Sequence, residues 1–223
     1  MMSQTFTIEP GQAHDDVVEL AKAWAGTSIA FAITTTGVAN LATSIVLQNL
    51  LIAAIVCGLG FVLHELAHRQ VARGYGAAAH FAADNRWLLI SIGLAFTGIF
   101  IAAPGAVWHT GVSDPKRIGK IAMAGPLANY VLALFFLVLY PILFMIGVQD
   151  DIFLYLCMMG FSFNAWVGLF NLIPGGPFDG AKVLAWSTPV YAVMVAIGAF
   201  MAFYMNRQDV YISLWGWVIN LFG

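Results

Sequence analysis

Long apolar runs, almost empty of charge, decide what this chain can fold into. They recur at about 24–43, 45–68, 120–147, 152–173 and 182–205. Each is near the roughly 20 residues that an α-helix needs to cross a bilayer. Of the 223 residues, 61% are hydrophobic and 9% charged, where soluble domains carry about 25% charge. So little charge cannot cover a water-facing surface and leaves no basic patch for nucleic acid. The expected fold class is an all-α polytopic membrane protein in contact with the lipid bilayer. A shorter Trp-rich stretch at 209–222 suits either a marginal crossing or the interface, giving about six transmembrane helices. Residues 1–23 read as a polar cytosolic N-terminal tail, and 24–223 as one membrane-embedded domain.

The segment 87–108 is apolar enough to imitate another crossing, but it carries Gly93, Gly98, Pro104 and Gly105. The distribution of cations separates the two layouts. If 87–108 does not span and the N-terminus is cytosolic, Lys22, Arg69, Arg73, Arg86, Lys116, Arg117, Lys120 and Lys182 all face the cytosol. Only Arg207 is left outside. A spanning 87–108 would export Lys116, Arg117 and Lys120. The segment is therefore expected to form a small re-entrant β-hairpin or sheet after the second helix, with Thr97–Ile101 as its β-leaning part.

Within the second run stands His64-Glu65-Leu66-Ala67-His68. Positions i and i+4 of a helix share a face, so both imidazoles can bind one metal ion, while Glu65 lies close enough to act on its water. Ionisable groups at membrane depth are costly and mark function. Zinc held by two histidines requires a third protein ligand, commonly a carboxylate. Apart from Glu65, the acid placed against a membrane helix is Asp179, in Asn171-Leu172-Ile173-Pro174-Gly175-Gly176-Pro177-Phe178-Asp179-Gly180. Its prolines and glycines break the helix and allow a side chain to turn inward, although the same stretch also reads as a plain loop. Topology favours the ligand, because His64, His68 and Asp179 then reach the same side and depth.

A membrane-embedded HExxH followed by NxxPxxxxDG resembles the site-2 protease family of intramembrane zinc metalloproteases, in a compact form without PDZ or nucleotide-sensing domains. The resemblance covers about 45–185. It implies that His64, His68 and Asp179 hold one Zn²⁺ and that Glu65 is the general base. A third family element, Gly-Pro-x-x-Asn, stands here as Gly125-Pro126-Leu127-Ala128-Asn129. The analogy puts Asn129 and Asn171 near the zinc, contacting substrate backbone or oxyanion; capping or helix–helix hydrogen bonding is the other reading of both. Two features depart from the family pattern: Phe178 replaces the commoner Leu before Asp-Gly, and Ala103–Val107 replaces a glycine-pair loop.

The function so implied is zinc-dependent endopeptidase cleavage within transmembrane segments of membrane-protein substrates. The enzyme would be a multi-pass protein of the cell membrane with its active site toward the cytosol. A membrane metal-ion transporter using the same His/Asp site is the alternative. A substrate helix must unwind to expose its peptide bonds, and an extended edge near 94–103 could pair the unwound strand. No metal or catalytic role is expected for His14, His80 or His109. Cys57 and Cys157 read as small buried hydrophobes, and Trp24, Trp215 and Trp217 as interfacial anchors.

Overall fold

The structure, a computed structural model, describes residues 16–101, 105–176 and 178–222; His14 and most of the expected tail lie outside them. Among the described residues five helical segments are long and apolar enough to cross a membrane: Val17–Thr36, Ile45–Gly74, Pro115–Met145, Asp151–Phe170 and Thr188–Met205. The protein is a helical, multi-pass membrane protein.

Helix α1 (Asp16–Thr36) begins inside the segment expected to be a tail. Its polar start is tolerated because Lys22 pairs with Glu19 one turn earlier at 2.6 Å, while the other Glu19 oxygen accepts from Ala83 N at 3.1 Å. It ends at Thr36, earlier than the apolar run does, because Gly37 takes a positive φ of 71° that closes the helix. Helices α2 (Ile45–Cys57) and α3 (Leu63–Gly74) form one crossing, joined by a π-helical turn at Gly58–Val62.

Between the second and third crossings the chain forms β1 (Ala78–Ala83), α4 (Asn85–Ala95) and β2 (Gly105–Thr110). The strands pair antiparallel, with Ala78 opposite Thr110 and Ala83 opposite Gly105. The expected small sheet is present, but its strands flank a helix and are not joined by a tight turn. Asp84 starts α4 by accepting from Arg86 N and Trp87 N at 2.9 and 3.2 Å. At 11 residues the helix is about 16 Å long, too short to span. The stretch Thr97–Ile101, expected to be β-leaning, instead closes α4. Gly98 has φ 82°, Gly98 N bonds Ala95 O at 3.0 Å, and Ile99 N bonds Leu94 O at 3.3 Å. A helix-terminating glycine overrides the β-preference of its neighbours.

Helix α5 (Pro115–Met145) packs against α3, α6 (Asp151–Phe170), α7 (Asp179–Trp186) and α9 (Gln208–Phe222). The α5–α6 contact is close because Gly160 offers no side chain where the buried Phe136 ring lies. The fifth crossing begins later than its apolar run. Ser187 turns extended and separates α7 from α8 (Thr188–Ala199), which continues through a π-helical turn to Met205. Helix α9 rises only about 22 Å, yet it belongs to the core: Trp215 is buried and donates to Leu137 O at 2.6 Å. Trp215 is thus not an interfacial anchor. Trp24 donates to Ala54 O at 2.8 Å and ties α1 to α2, and Trp217 stays exposed. Both cysteines are buried thiols, as expected.

Candidate metal centre

Helix α3 brings His64, Glu65 and His68 into the interior, all buried. One helical turn separates the two histidines, and their Nε2 atoms lie 3.0 Å apart. Asp179 starts α7, and its Oδ2 is 3.4 Å from His64 Nε2 and 3.0 Å from His68 Nε2. Among the described residues these three form the group able to hold a metal ion. Two elements more than a hundred residues apart in sequence therefore meet at one point.

The loop that delivers Asp179 is closed by the backbone. Asn171 O accepts from Gly180 N at 2.8 Å, and a side chain at Gly180 would run into the Leu172 carbonyl. This glycine is required because two backbone segments touch there. The Phe178 ring packs edge-on against Phe170 with centroids 4.8 Å apart, which anchors the residue before the carboxylate. The aromatic substitution at this position leaves Asp179 in place.

Helix α5 supplies the opposite wall, and each letter of its Gly-Pro-x-x-Asn element has a physical reason. A Cβ at Gly125 would meet the Nε2 atoms of both His64 and His68, so only glycine lets this backbone approach. Pro126 cannot donate to Ala122 O and loosens the helix at that turn. Next to this opening, Ile121 O accepts from His68 Nδ1 at 2.7 Å. One turn beyond the glycine, Asn129 Oδ1 accepts from His64 Nδ1 at 2.6 Å. Ile121, Gly125 and Asn129 repeat every fourth residue and share the face turned to the histidines.

These contacts define the chemistry of the donor set. With Nδ1 carrying the hydrogen toward an oxygen acceptor, the Nε2 of a neutral imidazole presents a lone pair. Two such lone pairs and a carboxylate oxygen converge within 3.0–3.4 Å. Atoms about 2.0–2.1 Å from a tetrahedral zinc are separated by about 3.3 Å. The residues fit a zinc ion, and each histidine has the second hydrogen bond that orients a metal-binding imidazole. Lys182 Nζ lies 3.6 Å from the other carboxylate oxygen of Asp179.

Of the two asparagines expected to contact substrate, Asn129 has its whole amide engaged and Asn171 only part of it. Asn129 is fully buried and uses both amide hydrogens, donating to Gly60 O and Asn164 Oδ1, each at 2.9 Å. In this arrangement it has none left for an oxyanion. Asn171 donates to Val167 O, one turn back on α6, at 2.9 Å. Sequence reading passed over Asn164, a fully buried asparagine whose Nδ2 donates to Gly160 O at 2.8 Å. The only local hint was a lone amide on an otherwise apolar helix.

Known proteins share this pattern. Over 147 residues the chain is 40% identical to a protein of Methanocaldococcus jannaschii named "Putative zinc metalloprotease MJ0611", covering 65% of this chain and 74% of that protein. It is 30% identical over 128 residues to "Zinc metalloprotease MJ0392" of the same organism, covering 55% of this chain and 30% of the relative. Rip3 of Mycobacterium tuberculosis, named in the same terms as the first, is 31% identical over 153 residues, covering 67% of this chain and 35% of its own length. The match thus spans about three quarters of the first relative and about a third of the other two. No family model matches the chain, and no solved structure matches it.

Proposed function

This chain belongs to the site-2 protease family of zinc metalloproteases, and from that membership we propose that it is an intramembrane endopeptidase that cuts transmembrane segments of other membrane proteins. The observation that carries the reading is the convergence of His64 Nε2, His68 Nε2 and Asp179 Oδ2 among membrane helices, with buried Glu65 beside them in α3. Zinc held by these three atoms supplies Lewis acidity, polarising the scissile carbonyl and making water nucleophilic at neutral pH. Glu65 accepts the proton of the attacking water on its carboxylate and passes it to the leaving amine nitrogen. His64 and His68 keep their hydrogens on Nδ1 throughout, held by Asn129 and Ile121. Asn129 therefore serves His64 and not an oxyanion. The Asn171 side chain gives one amide hydrogen to Val167 O and keeps the other for substrate backbone or oxyanion.

Substrates are transmembrane helices that unwind locally. Among the described residues β2, at 105–110, offers extended backbone for such pairing, whereas 94–98 is taken up by the end of α4 and its closing turn. Helix α1 already occupies the Ala83 N–H at the end of β1 through Glu19. The cations gathered at the start of α5, Lys116, Arg117 and Lys120, support a site toward the cytosolic face of the cell membrane. A metal transporter would string further ligand groups along several crossings; among the described residues one three-ligand group is found.

The test is cleavage of a single-span substrate by the purified protein in lipid, wild type against Glu65→Gln. The variant is expected to bind zinc as the wild type does and to lose cleavage. Undiminished cleavage by Glu65→Gln would refute the assignment.

A further inference from the structure

We propose that Asn164 is a positioning residue of the metal centre: together with Gly60 O it fixes the direction of the Asn129 amide and thereby the nitrogen on which His64 carries its hydrogen. The proposal rests on the zinc site described above, but it concerns a helix, α6, that supplies no ligand.

The relay begins at a backbone carbonyl. Gly160 O can only accept, so the Asn164 amide must turn its Nδ2 toward it, at 2.8 Å. The oxygen of that amide then faces Asn129. Asn129 meets two acceptors, Asn164 Oδ1 and Gly60 O, both at 2.9 Å. Only an amide nitrogen with two hydrogens satisfies both. Its oxygen is left facing His64 Nδ1 at 2.6 Å, which requires the hydrogen on Nδ1 and leaves Nε2 free to bind metal. Reversing either amide would set acceptor against acceptor. Both asparagines have no exposed surface, so water cannot repair such a mismatch, and a buried unpaired polar group is unfavourable.

The surroundings are shaped for this relay. Gly60 lies in the π-helical turn, where carbonyls leave the regular ladder, and it accepts from Asn129. A Cβ on Gly60 would stand 2.8 Å from Asn164 Oδ1 and 2.7 Å from the Phe163 ring. The glycine therefore lets α6 approach closely enough for Asn164 to reach Asn129. His68 needs no such relay, because the Ile121 carbonyl orients it directly.

Two measurements on the full chain in detergent micelles test the proposal: zinc affinity by chelator competition, and the imidazole tautomers of the zinc-free protein by isotope-edited NMR. Wild type is expected to show His64 with its hydrogen on Nδ1. Asn164→Leu keeps the branched shape, at a larger volume, but removes the acceptor, so zinc affinity should fall about 10-fold or more and an Nε2–H form of His64 should appear. Asn164→Asp keeps an oxygen toward Asn129 and, when protonated, an O–H for Gly160 O, so it should stay within about threefold of wild type. The His68 tautomer should not change in either variant. A wild-type His64 with hydrogen on Nε2 overturns the proposal. So does Asn164→Leu with unchanged affinity and tautomer, or Asn164→Asp as damaged as Asn164→Leu. If the leucine variant does not fold, the wild-type tautomer and the Asp variant still decide. His64→Ala and Asp179→Ala serve as references: unchanged zinc affinity in these refutes the metal centre itself, whereas a loss there with none in Asn164→Leu refutes only the positioning role.

Discussion

Adding one methyl group at Gly125 tests how closely helix α5 walls the metal centre. The Cβ of Gly125→Ala would lie against Nε2 of both His64 and His68, and 2.6 Å from His64 Cε1. Comfortable contact begins at about 3.5 Å. The rings cannot simply turn away, because His68 is bonded to Ile121 O and His64 to Asn129 Oδ1, at 2.7 and 2.6 Å. Both partners belong to α5 itself, so moving the helix carries the tethers with it. Relief must come from breaking an imidazole hydrogen bond or separating α3 from α5. Overpacking of this kind costs about 1–3 kcal/mol, and disturbing the partner of a metal-binding histidine weakens affinity by about 10–100-fold. Gly125→Ala should therefore lower both thermal stability and zinc affinity, read by an unfolding scan and chelator competition. Gly93→Ala is the control, since a Cβ there meets nothing within 4 Å, and it should leave zinc affinity unchanged. Wild-type zinc affinity in Gly125→Ala would refute the close approach of α5 to the imidazoles.

Glu65→Gln should reduce cleavage by about 10²–10⁴-fold while zinc content, measured by elemental analysis, stays at the wild-type level. Asp179→Asn should weaken zinc by more than the about 10–100-fold typical of an altered ligand partner, because it removes the anionic ligand; equilibrium dialysis reads the effect. Stripping zinc with a chelator should abolish cleavage and leave the helical circular dichroism intact, and added zinc should restore activity, because the main core of α5, α6, α8 and α9 lies outside the ligand set. Phe136→Ala, emptying a buried ring site against Gly160, should cost about 3–5 kcal/mol of stability in an unfolding titration. Glycine or proline placed in the cleaved helix of a substrate should speed hydrolysis, and unchanged rates would argue against the need for unwinding.

Much of the site was legible because its signals are local or rare. His64 and His68 declare themselves by spacing on one helix, and Asp179 by being an acid against membrane helices in a chain with few acids. The non-spanning nature of 87–108 followed from the positions of three cations, although its residues are apolar. The parts that were not legible depend on distant partners. Asn164 shows in the sequence only as a lone amide on an apolar helix, since Asn129 stands 35 residues away and Gly60 still farther. The Asn129 amide looked available for substrate because only the folded chain reveals the two carbonyl-type acceptors that claim its hydrogens. Helix boundaries moved where backbone geometry overrode hydropathy, at Gly37, Gly98 and Ser187. Trp215 was misplaced because a tryptophan near the end of an apolar span serves equally well at an interface or beneath a neighbouring helix.

The π-helical turn at Gly58–Val62 makes the aim of the histidines depend on counting residues. One residue more or fewer rotates everything beyond it by about 100°. Before the turn, Leu47, Leu51 and Ile55 are exposed at every fourth position, while beyond it His64 and His68 face the interior. Ile52, Ala53 and Val56 are buried before the turn and Leu63 and Leu66 exposed beyond it, so each half has an inner and an outer side whose angular phase the turn sets. Exchanging most side chains in the turn would leave that phase alone, whereas deleting a single residue would swing both imidazoles off Asn129 and Ile121 without altering any ligand. Length, more than side-chain identity, is what this stretch of the second crossing must conserve.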